Sequence, residues 1–118
     1  MTTIPCYVRT LRRQWGLTQK ELAGLIGRGG HERVADVELA RATPNAAEIL
    51  TYSLLFGAPP ADIFPALYER IEERLIQAAY SLDEKLKVEG TQRAANIRKL
   101  LKEALDRATG KARNPIKQ

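Results

Sequence analysis

The chain carries one cysteine, Cys6, and one histidine, His31, the residue types from which a nucleophile and its general base are often built. A thiol becomes reactive when a nearby base or positive charge lowers its pKa, and His31 would have to be that base. The alternative is that Cys6 is a small buried or half-buried side chain. No phosphate-binding loop and no evident pair of carboxylates accompanies the two residues. A single cysteine also excludes an internal disulfide and a zinc site of paired Cys-x-x-Cys ligands. We therefore expect no enzyme, no metal site and no cofactor.

A second group of polar side chains lies on a short segment between Gly30 and Ala40. Val34 and Val37, three positions apart, give this segment one apolar face, as in a helix with one side in a core. The residues off that face are His31, Glu32, Arg33 and Asp36. Such side chains can donate to or accept from base edges in the major groove of DNA, provided that the outer face of their helix is free. These four side chains are therefore available to recognise base edges.

The elements that position these residues are predicted to be helices, because apolar spacings of three and four recur along the chain. A first helix starts near Pro5, has Val8, Leu11 and Trp15 on one face, and ends at Gly16. Thr18 and Glu21 have the spacing of a capping box, in which the Thr18 hydroxyl accepts from the Glu21 backbone N–H and the Glu21 side chain reaches back.

That capping box opens a second helix that runs to about Ile26, with Leu22, Leu25 and Ile26 turned inward. The third helix is expected at about 31–39 and the fourth at about 46–56. The fourth is apolar around most of its circumference and is expected to be central to the core through Ile49, Leu50, Leu54 and Leu55. A short fifth turn at 61–64 precedes Pro65, which suits the first turn of the next helix.

From Pro65 onward the pattern predicts two amphipathic helices separated by Gly90. The apolar stripe of the longer helix steps by fours and threes through Phe64, Tyr68, Ile71, Leu75, Ala78 and Leu82. The last helix, at about 91–108, has a stripe of Ala94, Ile97, Leu101, Ala104 and Ala108, with Leu100 and Leu105 beside it. These helices either pack on the first domain as added core or pair with a second copy, and the sequence leaves both options open.

The charge of the 118-residue chain is +5, and it is concentrated in the second half. Residues 1–65 hold seven Lys/Arg against six Asp/Glu, whereas residues 66–118 hold twelve against eight. Basic charge is thus a weak argument for a nucleic-acid partner. No apolar run approaches the roughly 20 residues of a membrane span, and no signal peptide is recognised, so a cytoplasmic location is expected.

The segment Leu11-Arg-Arg-Gln-Trp-Gly-Leu-Thr-Gln-Lys-Glu-Leu-Ala23 resembles the opening of the Cro/CI-type (XRE, lambda-repressor-like) helix-turn-helix domain. Val34-Ala-Asp-Val-Glu38 resembles the core half of that family's recognition helix, and the segments 41–44, 47–57 and 62–64 resemble the parts that follow. The resemblance covers about 55 residues. It departs from the family in a longer turn, where glycines replace the usual capping serine or threonine, and in Ala40, where glycine is usual. A left-handed backbone at Ala40 would be costly.

The resemblance implies that Gln19 contacts a DNA phosphate, with extra helix capping as the alternative role. It places His31, Glu32, Arg33 and Asp36 at recognition positions. Arg33 would contact phosphate or guanine, and Glu32 or Asp36 would accept from cytosine N4 or orient the arginine. Arg28 and Arg41 would lie near the DNA backbone, although Arg28 is equally compatible with a solvated position. Trp15, Ala23, Val34 and Glu38 would maintain the fold.

The sequence therefore predicts an all-α protein, with a five-helix lambda-repressor-like DNA-binding domain at 1–65, a helical extension at 66–108 and a basic disordered tail at 109–118. The predicted function is a sequence-specific transcriptional regulator, a repressor that binds double-stranded DNA as a homodimer and reads the major groove with the helix at about 31–39. The alternative is a protein-interaction module of the same fold, such as an antitoxin, anti-activator or adaptor, with a protein partner on the C-terminal helices. No membrane association is expected.

Overall fold

A computed structural model describes residues 5–110, and all of the regular structure in this range is helical. The helices are α1 (Val8–Gln14), α2 (Gln19–Leu25), α3 (Glu32–Glu38), α4 (Ala46–Phe56), α5 (Pro60–Ile63), α6 (Pro65–Lys87) and α7 (Gln92–Ala108). The all-α prediction is confirmed for the described residues. No helix among them is both long enough and apolar enough to cross a membrane.

The helix ends follow local capping chemistry. The Thr18 hydroxyl accepts from the Glu21 N–H at 3.0 Å and the Glu21 carboxylate accepts from the Thr18 N–H at 2.9 Å, which confirms the predicted capping box. Asn45 and Glu48 form a second box at the start of α4. The left-handed backbone of Gly16 and Gly57 ends α1 and α4 at little steric cost.

Two details of the helix ends differ from the prediction. Helix α1 begins at Val8 rather than near Pro5. The N-cap of α3 is His31 rather than a glycine, and its side chain makes no capping hydrogen bond.

The structure divides into two compact units, with the boundary between Glu69 and Arg70, inside α6. In the first unit, α3 packs against α1 and α2, and α4 packs against α5. The core of this unit comprises Val8, Leu22, Ala23, Val34, Val37, Tyr52, Ile63 and Phe64. Tyr52 packs against the rings of Phe56 and Phe64, and burial raises the pKa of its phenol.

Several apolar residues predicted to face the core are exposed instead. Trp15 follows the last residue of α1 and is 69% exposed, because the buried face of α1 runs through Val8 and Arg12 rather than toward Trp15. Leu25 is also exposed. The prediction for Trp15 was wrong because Arg12 takes an inward position on α1. The prediction for Leu25 was wrong because the buried face of α2 consists of Leu22 and Ala23.

The prediction for α4 was wrong in a similar way. Leu50 and Leu54 are 60% and 85% exposed and Leu55 is also exposed, while the buried residues of α4 are Glu48 and Tyr52. A buried glutamate four positions before a tyrosine sets the inward face, and Leu50 and Leu54 lie on the opposite side of the helix.

The second unit contains most of α6 and all of α7, and Gly90, with a left-handed backbone, lies between the two helices. Ala79 and Leu86 of α6 and Ala94 of α7 are buried. The Arg98 guanidinium donates to the Asp83 carboxylate at 2.8 Å and ties the two helices together. The predicted basic tail lies, from residue 111 onward, outside the described residues.

Candidate nucleic-acid interface

The helix that carries the predicted recognition residues is α3. Val34 and Val37 are buried and hold one side of the helix in the core of the first unit. His31 and Glu32 are exposed at its start, and the Glu32 carboxylate folds back over Gly30, where an added Cβ would overlap it. The structure therefore leaves the first turn of α3 open to solvent on its outer side.

Arg33 lies on α3 but is engaged within the fold. Its guanidinium donates from Nε and Nη2 to the two oxygens of Glu48 at 2.7 and 2.6 Å, and Nη2 also donates to the Thr43 carbonyl at 3.0 Å. The sequence analysis expected Glu32 or Asp36 to accept from cytosine N4 or to orient this arginine. In the structure the carboxylate that orients Arg33 is Glu48 of α4, and the contact with cytosine stays a prediction. Three hydrogen bonds engage the guanidinium within the fold, so a contact with guanine would require this fork to open.

Glu48 is the centre of this cluster, and its side chain is 3% exposed. Besides Arg33, the carboxylate accepts from the Asn45 backbone N–H at 2.8 Å and lies 3.4 Å from the Arg28 guanidinium. The hydrogen bonds from Arg33, with the Asn45 N–H and the positive charge of Arg28, hold the pKa of Glu48 below its ordinary value despite burial. The sequence analysis missed Glu48, although the Asn45–Glu48 spacing of a capping box was a readable signal.

Asp36 and Arg41 form a pair at the other end of α3. The Arg41 guanidinium lies 3.0 Å from the Asp36 carboxylate, and the Arg41 backbone N–H donates to the Asp36 carbonyl at 2.7 Å. Ala40, just before Arg41, has a φ of 60° and turns the chain back toward Asp36. Both side chains are largely exposed, so the pair contributes little to stability, and either group can exchange its partner for an external one.

Gln19, at the start of α2, is held by the buried ion pair between α1 and α3. Arg12 donates to the two Glu38 oxygens at 2.6 and 3.2 Å and to the Leu17 carbonyl at 2.9 Å. The Gln19 amide NH₂ donates to Glu38 at 3.1 Å. The contact with Glu38 fixes the side chain and leaves its amide oxygen and one N–H without a partner among the described residues, so the position of Gln19 is set before any ligand arrives.

Two further cations lie beside Gln19, and the sequence analysis missed both. Arg9 and Arg13 line one shallow concavity of the surface with Thr18, Gln19 and Leu39. Within residues 5–110 neither arginine forms an ion pair, and Lys20, also exposed, forms none either. The spacing of Arg9 and Arg13 was the available signal, because residues four apart share one face of a helix.

Cys6 does not have the environment of a nucleophile. Its thiol is half-buried and donates to the Val37 carbonyl at 3.5 Å, and burial raises its pKa. In the described part of the chain, no group of three or more His, Cys, Asp or Glu residues is arranged to hold a metal ion.

The arrangement offers two kinds of surface close to α3. The concavity with Arg9, Arg13 and Gln19 supplies forked cationic donors and an amide, the groups that bind phosphate oxygens. The outer side of α3 supplies an imidazole, two carboxylates and the exposed Leu39. The first surface suits a polyanion, and the second suits acceptance of hydrogen bonds from base amino groups.

Comparison with protein-family models, curated proteins and solved structures finds no match to this chain.

Proposed function

We propose that the first unit is a lambda-repressor-like helix-turn-helix domain and that the protein is a sequence-specific regulator of transcription, a repressor that acts on double-stranded DNA in the cytoplasm. One observation carries the proposal. Two unpaired arginines of α1 and the fixed Gln19 of α2 line a concavity at the end of α3, a helix that keeps one side in the core and the other open.

In this proposal some contacts with DNA position the domain on the duplex, and others recognise the base sequence. Arg9, Arg13 and Gln19 bind phosphates and set the register of the domain on the duplex, which carries no sequence information itself. His31 and Glu32, at the exposed start of α3, approach base edges, where a carboxylate accepts from cytosine N4.

The remaining predicted contacts take indirect or conditional roles. Arg33 and Arg28 act through Glu48 to hold α3 and the preceding turn on α4. Asp36 shares its carboxylate with Arg41 and becomes available for reading when Arg41 turns to a phosphate. No step of this function needs catalysis or a cofactor.

The test is selection of bound duplexes from a random DNA pool, followed by affinity measurements at several salt concentrations. Each phosphate contact contributes a log–log salt slope of about −0.9, so Arg9→Ala with Arg13→Ala is expected to reduce the slope by roughly 2 and to weaken all sequences alike. Glu32→Gln is expected to alter the selected sequence instead. Lys99→Ala with Lys102→Ala in α7 is the control with the same loss of charge. A wild-type protein without salt-dependent binding to any duplex contradicts the proposal.

A second candidate, a protein-interaction module, is favoured by a different observation. The outer side of α3 is acidic and apolar, with Glu32, Asp36 and the exposed Leu39, and α4 exposes Leu50 and Leu54. Duplex DNA repels the carboxylates and offers little for the leucines, whereas a protein surface can accommodate both. A stoichiometric protein partner whose affinity falls with Leu50→Glu and is insensitive to loss of Arg9 and Arg13 would support this candidate.

A further inference from the structure

The second unit contains a groove between α6 and α7 that no proposed contact with DNA uses. It is formed by Tyr80 and Asp83 of α6 and by six residues of α7 between Ala95 and Asp106. Its volume is about 490 Å³. Pockets that hold small organic molecules measure about 300–1,000 Å³, so the groove has the size of a ligand site. We call it the α6–α7 groove.

Three cations of α7 line the α6–α7 groove, and their hydrogen-bond donors are only partly used. Arg98 donates from Nε to Asp83 at 2.8 Å, and its two Nη groups have no partner among the described residues. In the same part of the chain Lys99 forms no ion pair, whereas Lys102 pairs with Asp106 at 3.2 Å. The Lys102 side chain is 77% exposed, so this pair is weak and can give way to another anion.

The charges that line the groove sum to +1, from three cations and the carboxylates of Asp83 and Asp106. The hydrogen bond from Arg98 holds the pKa of the Asp83 carboxyl below its ordinary value, so this carboxylate stays ionised and keeps its hold on the guanidinium. A guanidinium held at Nε still offers the fork of its two Nη groups, which matches a phosphate or carboxylate. The groove is therefore prepared for an anion.

The remaining lining of the groove is apolar. Ala95 and Leu105 of α7 contribute aliphatic surface, and Tyr80 of α6 contributes an aromatic ring that is 58% exposed. A flat apolar body in the groove would remove this surface from water, which favours binding. Pockets of this kind, with an apolar wall and a few converging polar groups, are typical of sites for small molecules.

We propose that the α6–α7 groove binds a small organic anion, a phosphate or carboxylate group on a flat apolar body. The Nη fork of Arg98 and the ammonium groups of Lys99 and Lys102 bind the anionic group. The apolar body lies against Tyr80 and Leu105. A compact anion can reach the cations without lying along both carboxylates of the groove, whereas the continuous charge of duplex DNA would be repelled by them. The proposal depends on the second unit alone.

The first experiment follows the amide chemical shifts of the isotope-labelled full chain during addition of naphthyl phosphate or naphthoate. At least one of these probes is expected to bind with a dissociation constant below about 1 mM and to shift chiefly the amides of the groove. The tighter of the two identifies the anionic group. Inorganic phosphate lacks the apolar body and naphthol lacks the charge, so each is expected to bind at least about tenfold more weakly.

A binding constant for inorganic phosphate or naphthol equal to that of the charged naphthyl probes overturns the proposal, because the groove would then recognise only one half of the molecule. The absence of binding by both charged probes, or shifts confined to residues outside the groove, overturns it as well.

The second experiment repeats the titration with variants of the groove. Lys99→Gln with Lys102→Gln is expected to weaken binding of the charged probe at least about tenfold. Lys85→Gln with Arg107→Gln removes the same charge from exposed positions outside the groove and is expected to bind as the wild type does. Equal losses in the two double variants would mean that only net charge attracts the probe, which overturns the proposal.

Tyr80→Ala tests the apolar wall separately. This variant is expected to weaken binding of the charged naphthyl probe and to leave the affinity for inorganic phosphate unchanged, a difference that a general loss of structure does not produce. Circular dichroism checks that the helices are retained. Equal affinity of Tyr80→Ala and the wild type for the naphthyl probe would contradict the assigned position of the apolar body.

The two proposals for this protein can fail independently. If Lys99→Gln with Lys102→Gln lowers the salt slope of duplex binding, DNA occupies the groove and the proposal for a small anion is overturned. A protein that binds the naphthyl probe in the groove and binds no duplex refutes only the proposed function.

Discussion

Ala40 is the one non-glycine residue within 5–110 with a positive φ, and its position explains why. The turn after α3 must reverse the chain so that the Arg41 N–H reaches the Asp36 carbonyl at 2.7 Å. Residues with a Cβ pay for a left-handed backbone in close contacts with the following carbonyl, and glycine does not. The sequence analysis expected a left-handed backbone at Ala40 to be costly, and the structure gives Ala40 a φ of 60°.

Ala40→Gly is therefore expected to stabilise the protein. Relief of the left-handed strain is worth roughly 1–2 kcal/mol, and the extra freedom of glycine in the unfolded chain offsets part of it, so the free energy of unfolding should rise by about 0.5–1 kcal/mol. Chemical denaturation measures the change. Ala47→Gly, at an exposed helical position of α4, is the control and should lower the free energy of unfolding by a similar amount. A loss of stability in Ala40→Gly would show that the turn is not strained.

At the scale of elements, two carboxylate clusters hold α3 in place. Glu38 joins α3 to α1 through Arg12, and Glu48 joins α4 to α3 through Arg33 and to the preceding turn through Arg28. Each carboxylate is nearly fully buried and is met by a forked guanidinium, the geometry in which a buried ion pair is best compensated. The orientation of the proposed recognition helix thus depends on charge pairs as well as on Val34 and Val37.

Because the buried Glu48 carboxylate helps to hold α3 on α4, the stability of the protein is expected to depend on pH. The pKa of Glu48 is lowered in the folded state, chiefly by the hydrogen bonds from Arg33, so the stability it contributes is complete above the ordinary value of 4.5. That contribution declines as the pH falls below 4.5 and is lost once the pH has passed the lower folded-state pKa. Unfolding measured between about pH 2 and pH 7 should show a shallower acid loss in Glu48→Gln, together with lower stability at neutral pH. An unchanged slope in Glu48→Gln would contradict the assignment.

The elements were largely predictable from sequence because their signals are local. Thr18 and Glu21, Gly16 and Gly57 fix helix ends through neighbouring backbone groups, and these predictions agree with the structure. The expected start of α1 near Pro5 does not, because the helix begins at Val8. The inward faces were less predictable. Leu50 and Leu54 are apolar, as core residues usually are. Glu48 takes the inward position instead, because Arg28 and Arg33, which are distant in sequence, form ion pairs with its carboxylate. The partner of Arg33 could not be read from α3 alone for the same reason.

At the scale of the whole molecule, charge and apolar surface are distributed by unit. The unpaired cations Arg9, Arg13 and Lys20 belong to the first unit, although residues 1–65 have a net charge of only +1. The exposed apolar residues Ile71, Leu75 and Leu82 of α6 and Leu100 of α7 belong to the second unit. A small total charge is compatible with polyanion binding when it is concentrated on one surface, because the field at short range depends on local charges within a Debye length of about 8 Å. The proposed DNA contacts therefore belong to the first unit, and the helices proposed for self-association belong to the second.

If the second unit mediates self-association, dimerisation determines the affinity for a palindromic DNA site and leaves the affinity for a single half-site unchanged. Once one copy of a dimer is bound, the second half-site is met at a high effective concentration, which raises affinity by roughly 10²–10⁴-fold without any new contact. Leu75→Glu should therefore bind an isolated half-site as tightly as the wild type and lose roughly that factor on the full palindrome selected from the random pool. Binding titrations on both duplexes at one salt concentration make the comparison, with Tyr80→Glu as the control that keeps the wild-type ratio. Equal losses on both duplexes would mean that Leu75 supports the DNA-binding unit itself, and no loss on the palindrome would mean that the two copies meet through another surface.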